Sequence, residues 1–76
     1  MAKGSGNQKI LSDFAIKIRN RRHQLDMTQE ELAEKAGFHI NFIGGIERST
    51  RNLSLTSIIT LARALGLSPK DLMPTH

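Results

Sequence analysis

Two short helical stretches separated by three residues constrain this chain more than anything else in it. They lie in TQEELAEKAGFHINFIGGIER, Thr28 to Arg48. Thr28 and Glu31, three residues apart, form a capping box: the hydroxyl accepts an early backbone N–H and the carboxylate reaches back. Glu30 and Glu31 also suit the positive start of a helix. Leu32, Ala33 and Ala36 supply an inner face, so a helix is predicted from Gln29 to Ala36. Gly37 ends it, because glycine turns left-handed without steric cost. A second helix is predicted from about Ile40 to Arg48, with His39 as N-cap and Ile43 and Ile46 pointing inward. A link of only Gly37, Phe38 and His39 forces a sharp crossing, with the small Ala33 where the helices come closest. That is a helix-turn-helix arrangement, residues 28–48, and it points to a DNA-binding unit. The alternative is a plain helical bundle with a tight corner.

The rest of the sequence predicts a helical frame. Leu11, Phe14, Ile18, Arg22 and Leu25 recur at three- and four-residue steps, placing a first helix from about Lys9 or Ser12 to Leu25. Leu55, Ile58, Ile59, Ala62 and Leu65 do the same for a helix from Leu55 to Leu65, capped by Ser54 and ended by Gly66. Ser68, Pro69 and Asp71 start a fifth, from about Pro69 to Met73, with Pro74 as its stop. No strand alternation or hairpin turn occurs. Residues 1–8 are rich in Gly, Ser and Asn and are expected to form a mobile tail; residues 9–76 make one domain. The predicted fold is all-α with five helices. A chain of 76 residues buries only about 60% of its unfolded surface, so a partner subunit would reinforce it.

Charge and composition narrow the function. The net charge is +4, from 11 basic and 7 acidic residues. Basic residues gather at Lys17, Arg19, Arg21 and Arg22 and at Arg48 and Arg51; acidic ones gather at Glu30, Glu31 and Glu34. The balance points to a polyanion partner, although each cluster also reads as a solvated face. There is no cysteine, which removes disulfides and thiol chemistry. His23, His39 and His76 show no ligand spacing, so no metal is expected. With no nucleophile–base pair or phosphate loop, neither enzymatic activity nor a cofactor or small-molecule ligand is expected. No apolar run opens the chain or approaches the roughly 20 residues that span a bilayer, so no membrane partner is expected and the cytoplasm is the expected location. The absence of Trp and Tyr argues against single-strand stacking.

The stretch RNRRHQLDMTQEELAEKAGFHINFIGGIERSTRNLSLTSIITLARALGLS resembles the helix-turn-helix domain of the Cro and lambda-repressor type, the xenobiotic response element family. The likeness spans about Phe14 to Leu72 and is carried by LDMTQEELAEKAGF, IER and SIITLARALGLS. GIERSTRNLSL is further similar to controller proteins of restriction–modification systems, small dimeric regulators of this fold. The resemblance implies a five-helix lambda-repressor-like domain and roles for individual residues. Gln29 would brace a phosphate. Ile40, Asn41, Gly44 and Gly45 would face the groove, and Arg48, Arg51 and Asn52 would hold the DNA backbone beside it. Arg22 and Glu47 would form a partly buried ion pair.

Residue chemistry supports most of these roles. The start of the second helix is a phosphate-binding end, and Gln29 can donate there. The Asn41 amide can pair with the N6 and N7 edge of adenine, worth about 1–3 kcal/mol of discrimination; otherwise Asn41 helps to cap its helix. Ile40 departs from the polar or basic residue common in controllers, and either meets a thymine methyl or touches nothing. Gly44 and Gly45 each cost about 1 kcal/mol of helix propensity. They either let the backbone approach DNA or, at Gly45, relieve crowding against the second helix. Arg22 lies on an apolar stripe and needs a partner, with Glu47 the obvious one; otherwise it reaches solvent or a phosphate. Phe38 and Phe42 are assigned to the core, Phe42 half-exposed.

Two functions follow from these expectations. In the first, the protein is a sequence-specific regulator that reads double-stranded DNA in the major groove. It acts as a homodimer on a palindromic operator, because two modules about 34 Å apart double the contacts of one short helix. Leu67, Leu72 and Met73 would form the dimer interface, with Ile59 and Arg63 at its edge, unless Leu67 and Leu72 close the monomer core. In the second, it is a protein-interaction or antitoxin-like module on the same fold. That reading predicts an exposed apolar groove and salt-insensitive DNA binding, and the arginines around the third helix count against it.

Overall fold

A computed structural model describes residues 2–73, with side chains from Gln8 onward. Four α-helices follow in order: α1 (Ala2–Gln24), α2 (Gln29–Ala36), α3 (Ile40–Glu47) and α4 (Leu55–Ala64). The described residues contain no strand. The fifth helix is not formed: Pro69–Asp71 make a single 3₁₀ turn. The N–H groups of Asp71, Leu72 and Met73 bond the carbonyls three residues back, Ser68, Pro69 and Lys70, the 3₁₀ pattern that rarely extends far. The Ser68 N–H is tied to Asp71 Oδ2 at 3.0 Å; Pro74, the expected stop, lies outside the described residues.

The frame is built around α3, which packs against both α1 and α2, while α4 packs against α2 and the 3₁₀ turn. Phe14 and Ile18 of α1, Leu32 and Ala33 of α2, Ile43 and Ile46 of α3, Ile58, Leu61 and Ala62 of α4 and Leu65 just after it form one buried cluster, closed by Leu72. At roughly 25 cal/mol per Å² of apolar surface buried, this cluster dominates folding. Arg21 stitches α1 to the end of α4 through a hydrogen bond from Nε to the Leu65 carbonyl at 2.9 Å.

Three stretches differ from the periodic reading. Helix α1 begins at Ala2 rather than at Lys9 or Ser12, since extending a formed helix is far cheaper than nucleating one. Of the residues 1–8 expected to form a mobile tail, Ala2 to Gln8 have helical backbone and Met1 lies outside the described residues. Leu25 leaves the apolar stripe because the chain turns left-handed at Asp26 (φ 54°), and Met27 packs against the core instead. Leu55, assigned to the core, is 66% exposed; Leu53, two residues earlier, packs against the core. No helix among the described residues is long and apolar enough to cross a membrane.

Candidate nucleic-acid interface

The corner between α2 and α3 forms as its residues dictate. The Thr28 hydroxyl accepts the Glu31 N–H at 3.0 Å and Glu31 Oε1 accepts the Thr28 N–H at 2.8 Å. Gly37 is left-handed at φ 76° with open space around its α-carbon, so conformation rather than crowding demands a glycine there. The Phe38 N–H returns to the Ala33 carbonyl at 2.9 Å. His39 caps α3 with its ring: Nδ1 accepts the Asn41 N–H at 3.0 Å. The capping role is thereby filled by His39.

Behind α3, Arg22 and Glu47 form the ion pair that the sequence suggested. Arg22 Nε meets Glu47 Oε2 at 2.8 Å and Nη2 meets Oε1 at 2.9 Å, while Nη1 donates to the Met27 carbonyl at 2.8 Å. Gln29 Nε2 also donates to Glu47 Oε1, at 3.1 Å. Arg19, expected only as part of a basic cluster on the first helix, donates to the Glu47 carbonyl at 2.8 Å. Its place three residues before Arg22, on the same helix face, was the available signal. The hydrogen bond to Glu47 holds the Arg22 guanidinium above its ordinary pKa, against the opposing effect of burial. Burial pushes the Glu47 carboxyl up, but Arg22 and Gln29 hydrogen bonds and the charges of Arg22 and Arg19 outweigh it, leaving it below the ordinary carboxylate range.

The outward side of α3 carries the remaining residues. Asn41 is exposed at its first turn, beside Ile40 at 39% exposure. Arg48, Arg51 and Asn52 are exposed beyond its last turn, and Gln29 is half-buried at the first position of α2. The N–H groups of Gln29 and Glu30 lie in a first turn, where no intrahelical carbonyl can reach them. Gly44 and Gly45 are buried rather than open. What covers them is side chain, not core: a Cβ on Gly44 would meet Arg48 Nη1 at 3.0 Å, and one on Gly45 would meet Arg51 Cγ at 2.5 Å. Phe42 is half-buried, edge-on to Phe38 with centroids 4.9 Å apart, and carries the Arg51 guanidinium carbon 5.5 Å from its ring centre.

The residues assigned to a dimer contact divide. Leu72 is fully buried in the core of the single chain, Leu67 is partly buried against that core, and Met73 is 41% exposed. Ile59 is half-buried and Arg63 exposed. Lys17 Nζ bonds the Met73 carbonyl, so Met73 lies against α1.

The profile of the helix-turn-helix family matches residues 18–72. The control protein C.BamHI of Bacillus amyloliquefaciens is 44% identical over 61 residues, spanning 79% of this chain and 75% of that protein. The control protein C.SmaI of Serratia marcescens is 41% identical over 60 residues, spanning 79% and 71%. Among solved structures, the restriction-modification controller C.AhdI of Aeromonas hydrophila superposes with a TM-score of 0.80 at 38% identity, covering 83% of this chain and 96% of that one. The controller C.Esp1396I, solved as a tetramer in complex with its natural 35 base-pair operator, superposes at 0.76 with 35% identity, covering 82% of each chain.

Proposed function

The chain belongs to the helix-turn-helix family, where it stands with the restriction–modification control proteins, and on that premise we propose that it is a sequence-specific transcription regulator reading double-stranded DNA with α3 in the major groove. The exposed amide of Asn41, at the N-terminal end of a helix braced from behind by Arg22 and Glu47, carries this reading. An amide there can bond adenine at N6 and N7, and Ile40 beside it can meet a thymine methyl. Gln29 at the start of α2, with Arg48, Arg51 and Asn52 after α3, flanks that face with donors for the phosphates. Such contacts set position, whereas base edges set sequence.

The working form in this reading is a homodimer on a palindromic operator. Met73 and Leu67 supply its contact, and Leu72 supports them from the monomer core. The protein acts by binding, without cofactor or catalysis, and works in the cytoplasm on the genes of a restriction–modification system. Selection of binding sites from random duplex DNA tests this function. The expected product is an inverted repeat whose half-sites lie about one helical turn, or a multiple of it, apart. A pool that yields no shared sequence contradicts it.

A further inference from the structure

We propose that Gly45 and Phe42 form a seat that holds Arg51 ready for the DNA backbone, which makes both of them positioning residues for that arginine. The inference deepens the DNA-binding reading and rests on it. A Cβ built on Gly45 would stand 2.5 Å from Arg51 Cγ and 3.5 Å from Cδ and Nε. Cγ lies near the root of the arginine, so swinging the guanidinium aside would not relieve the clash; the whole side chain would have to take another rotamer. The root is itself pinned, because the Thr50 N–H and hydroxyl donate to the Gly45 carbonyl at 2.9 and 3.0 Å. At the far end the guanidinium carbon lies 5.5 Å from the Phe42 ring centre, within cation–π range, and Phe38 holds that ring edge-on.

The neighbouring glycine gives the contrast. A Cβ on Gly44 would meet the tip of Arg48 at 3.0 Å and Gln29 Oε1 at 3.8 Å, and a tip can swing away. Only at Gly45 does the absence of a side chain decide where an arginine can lie. A side chain ordered before binding surrenders less freedom on binding. Gly45 therefore contributes to affinity without touching DNA.

The test compares Gly45→Ala, Phe42→Leu, Arg51→Ala and the Gly45→Ala/Arg51→Ala double variant, each checked for folding by thermal melting. With Arg51 present, Gly45→Ala and Phe42→Leu should each weaken binding about three- to tenfold on selected and random duplexes alike, a coupling typical of residues in contact. With Arg51 already removed, Gly45→Ala should have no further effect. A loss that persists undiminished without Arg51, or no loss at all, overturns the seat. Nuclear magnetic resonance of the free protein tests it without DNA. The Arg51 γ and δ protons should be shifted upfield by the Phe42 ring and should return to ordinary values in Phe42→Leu. Unshifted protons in the wild type overturn the seat even if DNA binding is intact. Shifted protons in a protein that does not bind duplex DNA leave the seat standing and remove the DNA reading instead.

Discussion

Arg22 and Glu47 are joined by two parallel hydrogen bonds, 2.8 and 2.9 Å long, between a guanidinium of α1 and the carboxylate at the last residue of α3. Both side chains are buried, so the pair sets how α3 is held on the frame. Removing one partner strands the other charge away from water. Arg22→Ala or Glu47→Ala is therefore expected to lower stability by about 3–5 kcal/mol, a large share of the roughly 5–15 kcal/mol a domain has. Replacing both together, Arg22→Met with Glu47→Leu, should lose far less than the sum. Urea denaturation measures all three; single variants as stable as the wild type would mean that the pair holds nothing.

Acid should loosen the same joint. Glu47 is held below its ordinary value of 4.5, so the folded state binds its proton less readily than the unfolded chain does. The stability this carboxylate contributes is present above about pH 4.5 and is lost as pH falls through the lower folded-state value. Melting temperatures measured from neutral to acid pH should fall more steeply in the wild type than in Glu47→Gln, which has no such group to titrate. Parallel curves would contradict this.

Asn41 and Arg51 should fail differently. Asn41→Ala is expected to blur preference at one base position per half-site, by about 1–3 kcal/mol of discrimination. Arg51→Ala should weaken all sequences alike and reduce the salt slope by about one. Competition with single-base operator variants at several salt concentrations separates the two; identical profiles would refute this division of roles.

The C-terminal residues should separate folding from assembly. Leu72 has no exposed surface, so Leu72→Ala is expected to cost about 2–5 kcal/mol of stability. Met73→Glu, at an exposed position, should leave folding within about 0.5 kcal/mol while weakening the dimer. Sedimentation equilibrium and thermal melting on the same samples check both. A Met73→Glu dimer as tight as the wild type would move the contact elsewhere.

Features that depend on neighbours in the chain could be read from the sequence. The Thr28–Glu31 box, the Gly37 turn and the His39 cap each need only a few adjacent residues, and each forms as expected. The Arg22–Glu47 pair was legible for another reason: a charge on an apolar stripe demands a partner. Leu55 was misplaced because periodicity tells which face a residue shares, but not where the packed neighbours end. The cover over Gly44 and Gly45 was invisible, since it depends on how Arg48 and Arg51 fold back from a turn. Ser49 makes that turn at φ 64°, a conformation that no residue type in the segment signals.

The central claim is that the outward side of α3, with the start of α2 and the loop after α3, is the surface that meets duplex DNA. Backbone amide shift mapping during titration with a short duplex tests it most directly. The largest changes should fall at Gln29, Ile40, Asn41, Arg48 and Arg51. Changes centred on residues away from this surface, or no changes at all, would contradict it.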